Sequence, residues 1–153
     1  MSYEFLEHTA DVKFRAEGLS VEGMFVEAVS ALNETIYGEM KVLERIEKSF
    51  EVEGKDWESL LYNFLEEFLY LLDAESFLVS SVKKIEIDGF KLKCVVVGDD
   101  ADNYKFTSDV KAVTYSEMRV FREENNSTRT NTDQHGLEKG GVKMWVCEVV
   151  LDV

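Results

Sequence analysis

The stretch that decides the fold runs from Trp57 to Leu72 and reads WESLLYNFLEEFLYLL. Its apolar side chains recur every three or four residues, which predicts an amphipathic helix. Asp56 stands directly before it and is the predicted N-cap. The apolar stripe consists of Trp57, Leu60, Leu61, Phe64, Leu65, Phe68, Leu69 and Leu72. We interpret so broad a stripe as core packing against a sheet, the alternative being an aromatic face that binds a partner protein.

A second helix is predicted over residues 21–37, upstream of this stretch. Apolar residues recur at helical spacing from Met24 to Ile36. Ser20 is a favoured residue type for the N-cap, and Gly38 is a favoured one for the C-terminal stop. The chain therefore contains two amphipathic helices, each with an apolar face to bury.

Most of the remaining chain predicts strands and turns. Alternating or apolar runs predict strands over residues 12–16, 44–53, 82–88, 91–97, 109–121 and 142–153. Asp88-Gly89 is the predicted turn of a hairpin. Polar residues predict a solvated acidic loop at 98–108 and a mobile loop at 122–141. The pattern predicts one α+β domain over residues 1–153, a two-layer sandwich with a mainly antiparallel sheet covered on one face by the two helices.

Composition narrows the class of partner. The chain has 153 residues and a net charge of −14. So acidic a surface disfavours extended binding to nucleic acid, and it suits divalent cations or a basic protein. We find no apolar run of about 18 residues and no visible signal peptide, so we expect no membrane span and no secretion. Cys94 and Cys147 lie in apolar runs and are predicted to be buried thiols.

Common nucleotide and metal motifs do not account for the sequence. No GxxxxGK[ST] or GxGxxG pattern occurs, so a self-contained nucleotide-binding fold is not supported. The acidic loop near Asp100 is not a calcium loop of the EF-hand kind. Counted from Asp100, the sixth position is Lys105 instead of Gly, and the twelfth is Lys111 instead of Glu.

Four polar residues at strand ends remain as candidates. His8 and Asp11 precede an alternating segment, and a carboxylate at a strand entrance is a place where a rigid scaffold can carry a site. Asp152 is the penultimate residue of the last predicted strand, and Lys111 lies near the start of another. Each residue alone is typical of a solvated surface, so their chemistry depends on whether the fold brings them together.

Four blocks of sequence together resemble the archease family. They are His8-Thr9-Ala10-Asp11, the segment from Leu60 to Glu75, the run from Val110 to Tyr115, and the ending Val150-Leu151-Asp152-Val153. They occur in the family's order and span nearly the whole chain. The sequence departs from the family at Ser116, where a histidine is common, and in the length of loop 122–141.

The resemblance implies a cytoplasmic protein that activates an RtcB-type tRNA-splicing RNA ligase. Members of the family promote guanylylation of the ligase and its multiple turnover, and they are protein cofactors, not enzymes. The resemblance also allows a chaperone-like binding module for RNA-modifying enzymes such as tRNA methylase. An independent metal-dependent hydrolase is the least favoured reading, because only His8 offers an obvious general base.

The resemblance also implies roles for particular residues. Asp11 and Asp152 match carboxylates associated with a divalent metal, for which Ca²⁺, Mg²⁺ and Mn²⁺ are the candidates. The terminal carboxylate of Val153 adds negative charge beside them. Lys111 matches a functional lysine that contacts phosphate or steadies a carboxylate. His8 is expected to support the loop or to lie near the metal, and the two aspartates are expected to lie about 5 Å apart if their strands pair.

Overall fold

The computed structural model describes residues 1–8, 11–107, 110–125 and 142–153. Within these ranges the chain forms seven strands, two α-helices and one short 3-10 turn. In chain order they are β1 (Ser2–Leu6), β2 (Val12–Gly18), α1 (Val21–Tyr37), β3 (Ile46–Glu53), α2 (Trp57–Glu75), β4 (Phe77–Asp88), β5 (Lys91–Asp100), the 3-10 turn (Ala101–Asn103), β6 (Ala112–Asn125) and β7 (Val142–Asp152). No helix in these ranges is long and apolar enough to cross a membrane.

Both helices begin where local capping predicts. The Ser20 hydroxyl accepts a hydrogen bond from the Gly23 amide at 3.0 Å, and α1 starts at the next residue after Ser20. Asp56 accepts from the Ser59 amide at 2.7 Å, while the Ser59 hydroxyl accepts from the Asp56 amide at 3.1 Å. This reciprocal capping box fixes the start of α2. The end of α2 lies at Glu75, three residues beyond the predicted end at Leu72.

The strands divide between two antiparallel sheets. The four-stranded sheet has the order β1-β2-β7-β6, and the three-stranded sheet has the order β3-β5-β4. The predicted α+β class and antiparallel pairing are confirmed, but a single sheet was expected. The division arises after β5, where the 3-10 turn ends the strand and the chain continues into β6, which pairs with β7. Strand β1 was not predicted, and it pairs with β2 over its whole length.

The helices contact both sheets. Helix α1 packs against β2 and β4, and α2 packs against β6, β4 and β3. Most of the α2 stripe is fully buried, which confirms that it packs in the core. The rings of Phe25 and Phe64 join the two helices, with centroids 5.4 Å apart. Cys94 and Cys147 are buried as predicted, and burial raises the pKa of both thiols to about 12.

Two loop predictions require correction. Strand β5 continues to Asp100, and Asp99 is 2% exposed instead of solvated. The Tyr104 hydroxyl donates to Asp99 at 2.7 Å, because the 3-10 turn brings Tyr104 back over the strand end. Strand β6 reaches Asn125, so residues 122–125 are strand, not loop. The rest of the predicted mobile loop lies outside the described residues.

Candidate functional site

The register of β2 against β7 brings the two candidate carboxylates to one end of the four-stranded sheet. Val12 pairs with Leu151, and Asp11 directly precedes β2 while Asp152 ends β7. The next antiparallel step therefore sets Asp11 opposite Asp152. Side chains at facing positions of neighbouring strands have Cβ atoms about 4.5–5.5 Å apart. Residues near opposite ends of the sequence thus meet at the same sheet end.

Lys111 lies at this end as well. Its backbone amide donates to the carbonyl oxygen of Asp152 at 2.7 Å, and the following residue, Ala112, pairs with Asp152. The Lys111 side chain is exposed, and Val153 is half-buried against the core. Three adjacent strand ends therefore carry the residues predicted for the metal site and its lysine, namely Asp11, Lys111, Asp152 and Val153.

The donor set at this sheet end fits a hard divalent cation. Asp11 and Asp152 supply carboxylate oxygens, which are the donors that Ca²⁺, Mg²⁺ and Mn²⁺ prefer. The carboxylate predicted for Val153 stays a prediction. The fit is partial, because the described residues contain no converging group of three or more His, Cys, Asp or Glu side chains that could hold a metal. Water or a phosphate would have to complete the coordination.

His8 lies between two acidic side chains. Its Nδ1 is 3.8 Å from Asp11 Oδ2, and its Nε2 is 3.3 Å from Glu117 Oε2. The other oxygen of Glu117 lies 3.5 Å from the ammonium of Lys13. His8 thus lies beside Asp11. The expectation that it supports the loop or lies near a metal stays a prediction. Glu117 was missed, because a contact across 109 sequence positions leaves no local signal.

Glu117 belongs to an irregular part of β6 that we call the arch, residues 115–118. The pairing of β6 with β7 breaks after Thr114 and resumes at Arg119 with a shifted register. Met118 is buried, and Tyr115 packs edge-to-face on Tyr62 of α2 with centroids 5.7 Å apart. The arch is thus anchored at both of these side chains, so its shape is determined by packing.

Helix α2 also holds the two ends of the arch through carboxylates. Glu66 accepts a hydrogen bond from the amide of Val113 at 2.8 Å. Two turns earlier, Glu58 accepts from the amide of Val120 at 3.0 Å. The two glutamates lie on one side of α2, because positions eight apart share a helix face. They satisfy backbone donors of two paired residues that flank the break, on the edge strand of the sheet.

The outer face of the four-stranded sheet carries a charge network around Glu148. Its side chain is 13% exposed, and the cationic groups of Lys13, Arg15 and Arg119 lie 4.0, 3.7 and 3.3 Å from its oxygens. These three cations are therefore matched by a carboxylate. A face of this kind does not offer the unpaired basic stripe that binding to a nucleic-acid backbone requires.

Two of the surface cavities formed by the described residues lie elsewhere. Their volumes are about 450 and 720 Å³, and they lie on the three-stranded sheet, where Lys93 and Glu86 line both. Their lining alternates in charge. Lys93 of β5 faces Glu51 of β3 on one side and Glu86 of β4 on the other. These open hollows carry none of the predicted site residues, so we place the candidate site at the strand ends.

Comparison with known proteins decides the family. The sequence profile of the Archease protein family matches residues 3–153. This chain belongs to the archease family. The archease of Pyrococcus furiosus is 40% identical over 125 residues, covering 78% of this chain and 88% of its own. The archease of Methanopyrus kandleri is 33% identical across the whole of both chains.

A solved structure supports the archease fold. The solution structure of Methanobacterium thermoautotrophicum protein 1598 matches with a TM-score of 0.72 and 28% sequence identity. The match covers 99% of this chain and 98% of that chain. The architecture described above is therefore shared with an experimentally determined protein over its full length.

Proposed function

We propose that this archease-family chain activates an RtcB-type tRNA-splicing RNA ligase in the cytoplasm, promoting its guanylylation and multiple turnover without being an enzyme itself. The observation that carries the proposal is the β2–β7 register, in which Val12 pairs with Leu151. Continued by one residue, this register would set Asp11 opposite Asp152. Two carboxylates that face each other repel because their charges are alike. A cation between them would offset this repulsion and be bound by both.

The proposed mechanism assigns a task to each residue of the sheet end. Asp11 and Asp152, with Val153 beside them, would hold Ca²⁺, Mg²⁺ or Mn²⁺. Such a cation neutralises negative charge on phosphate oxygens during nucleotidyl transfer. Asp152 ends β7 and Asp11 directly precedes β2. The Lys111–Asp152 backbone hydrogen bond holds the lysine next to Asp152. The exposed Lys111 ammonium would contact phosphate or steady a carboxylate.

The surface around the sheet end suits a protein partner. Tyr115 is 52% exposed and rests on Tyr62, and exposed aromatic side chains are enriched in protein interfaces. A net charge of −14 favours association with a basic protein surface over nucleic acid. These features support docking on the ligase itself. They do not favour direct, extended binding to its RNA.

The proposal is tested by guanylylation of the ligase in the presence of Asp11→Asn and Asp152→Asn variants. Asn preserves side-chain volume but removes the anionic oxygens, so each variant should lose most of the stimulation while keeping its thermal stability. Asp73→Asn, an exposed acid on α2, is the matched control and should stimulate as the wild type does. Full stimulation by a folded Asp11→Asn/Asp152→Asn double variant contradicts the proposed mechanism.

The same variants separate the second role that the family suggests. A chaperone-like module for RNA-modifying enzymes would act through exposed apolar surface and would tolerate loss of both carboxylates. The thermal stability of a tRNA methylase, measured with and without each variant, gives the comparison. Ligase activation that depends on the aspartates, with no carboxylate-dependent effect on the methylase, supports the activator role.

A further inference from the structure

Glu117 has a backbone conformation that residues with side chains rarely adopt. Its φ is 65°, in the left-handed region that favours glycine. The left-handed conformation costs free energy in residues with a side chain. Asn and Asp offset part of this cost through hydrogen bonds from their short polar side chains to the nearby backbone, and Glu does not. Residues held in such conformations cluster at functional sites, where the surrounding structure imposes them. The conformation of Glu117 is therefore imposed by the arch, and strand pairing does not require it.

The position of Glu117 lets its side chain reach across a neighbouring strand. β6 and β2 are not adjacent, since β7 lies between them. Even so, Glu117 contacts Lys13 of β2 and His8, which precedes that strand. The side chain of Glu117 is itself 51% exposed, so burial of its own surface does not explain the placement. Its contacts instead tie the arch to the segment that leads to Asp11.

The environment of His8 favours one tautomer. A neutral imidazole carries one N–H, and Nε2 is nearer to a carboxylate than Nδ1 is, at 3.3 Å against 3.8 Å. The N–H therefore belongs on Nε2, where it donates to Glu117. Nδ1 is then unprotonated, and among the described residues this buried atom has no hydrogen-bond partner. It lies on the side of the ring that faces Asp11.

We propose that Glu117 is a positioning residue, which fixes the ring and the tautomer of His8 so that the unprotonated Nδ1 lies at the strand end beside Asp11. In metal sites, a carboxylate commonly orients a metal-ligating imidazole by accepting from its other ring nitrogen. The inference rests on the proposed metal-holding role of Asp11. It adds two residues to that site, one of which comes from a strand that does not carry either aspartate.

The variants are chosen to isolate the contact with His8. Glu117→Ala removes the acceptor, whereas Glu117→Gln keeps an oxygen that can accept from Nε2–H. Glu123→Ala is the matched control, because it removes a half-exposed glutamate of the same strand that pairs with Arg15 at 2.8 Å. Glu117→Gly removes the acceptor too and suits the φ of 65°, so it serves if the alanine variant folds poorly.

The first measurement is the ring ¹⁵N chemical shifts of His8 in metal-free protein at about pH 8.5, where an ordinary imidazole is neutral. His135 is the second histidine, and a His135→Asn background assigns the signals. We expect the Nε2–H tautomer in the wild type, in Glu117→Gln and in Glu123→Ala. Glu117→Ala should shift toward the Nδ1–H tautomer, because the nearer carboxylate is gone.

The second measurement is calorimetric titration with Mn²⁺. Glu117→Ala should bind about tenfold more weakly than the wild type, the lower end for loss of an outer-shell partner. Glu117→Gln and Glu123→Ala should stay near the wild-type affinity. Wild-type ring shifts in Glu117→Ala overturn the positioning role. If the wild type binds no Mn²⁺, the proposed function loses its metal, while the ring shifts still decide the role of Glu117.

Discussion

Asp99 was predicted from sequence to be solvated, and the structure shows it buried. It stands in an acidic run, Asp99-Asp100-Ala101-Asp102, that has the composition of a solvated loop. In the fold its carboxylate accepts from the Tyr104 hydroxyl at 2.7 Å and from the Asp100 amide at 2.9 Å. The Tyr104 hydroxyl in turn accepts from the amide of Leu43 at 2.9 Å. Asp99 therefore anchors the segment before β3, and its charge has a structural function.

This arrangement predicts a defined dependence of stability on pH. The Tyr104 hydrogen bond, helped by the Asp100 amide and by Arg45, holds the pKa of Asp99 below its usual value. A carboxyl whose pKa is lower in the folded state stabilises the fold above its unfolded-state pKa and loses that contribution as pH falls through the folded-state pKa. Asp99→Asn should thus be less stable than the wild type at neutral pH.

The measurement is urea unfolding of both proteins from pH 7 down to about 2.5, across the range in which a carboxyl protonates. The difference in the free energy of unfolding should shrink once the pH falls below about 4, the ordinary pKa of aspartate. A difference that stays constant over the whole range contradicts a stabilising, ionised Asp99.

Candidate residues were predictable where their signal was local. Asp11 precedes an alternating segment and Asp152 closes an apolar one, so both were recognisable as strand-end carboxylates. Glu117 was not recognisable, because its function depends on a register break in β6 and on a contact with His8 far away in sequence. Sequence patterns report the strand a residue belongs to, and they do not report which strand it reaches across.

The element that depends most on support from elsewhere is β6. It forms an edge of its sheet, and its pairing with β7 is interrupted by the arch. The carboxylates of Glu66 and Glu58 complete its hydrogen bonds from α2. The helix thus holds in place the strand that contains Glu117 and that begins beside Lys111.

Removing one of these carboxylates should destabilise the fold measurably. Val113 is 2% exposed with Glu66 in place, so its amide depends on the Glu66 carboxylate as its hydrogen-bond acceptor. An unsatisfied buried donor costs about 1–3 kcal/mol, and Glu66→Ala should lose that much free energy of unfolding in urea. Glu66→Gln keeps an acceptor and should lose less. Asp73→Ala on the exposed side of α2 is the control, and equal losses in Glu66→Ala and Asp73→Ala would refute this function.

Element boundaries followed from sequence to different degrees. The starts of both helices were predicted to the residue, because Ser20 and Asp56 act on amides within three positions. The ends of β5 and β6 were misplaced, because each is set by the partner strand or by a turn packed from outside. Strand β1 was missed, because five residues give too short an alternation to distinguish from a loop.

At the scale of the whole molecule, the topology creates the candidate site. The order β1-β2-β7-β6 places the first two strands and the last two strands of the chain in one sheet. Sequence predicted the class of fold and the number of helices. It did not predict the division into two sheets or the β2–β7 register, because both follow from pairing between distant segments.

The most direct test of the central claim is calorimetric titration of Mn²⁺ into the wild type, Asp11→Asn, Asp152→Asn and the double variant. If one ion lies between the two carboxylates, each single change should weaken binding about tenfold or more, which is about 1.4 kcal/mol. The double variant should then lose less binding free energy than the sum of the losses in the two single variants, because both residues bind the same ion. Wild-type affinity in either single variant, or effects that simply add, would contradict a shared site.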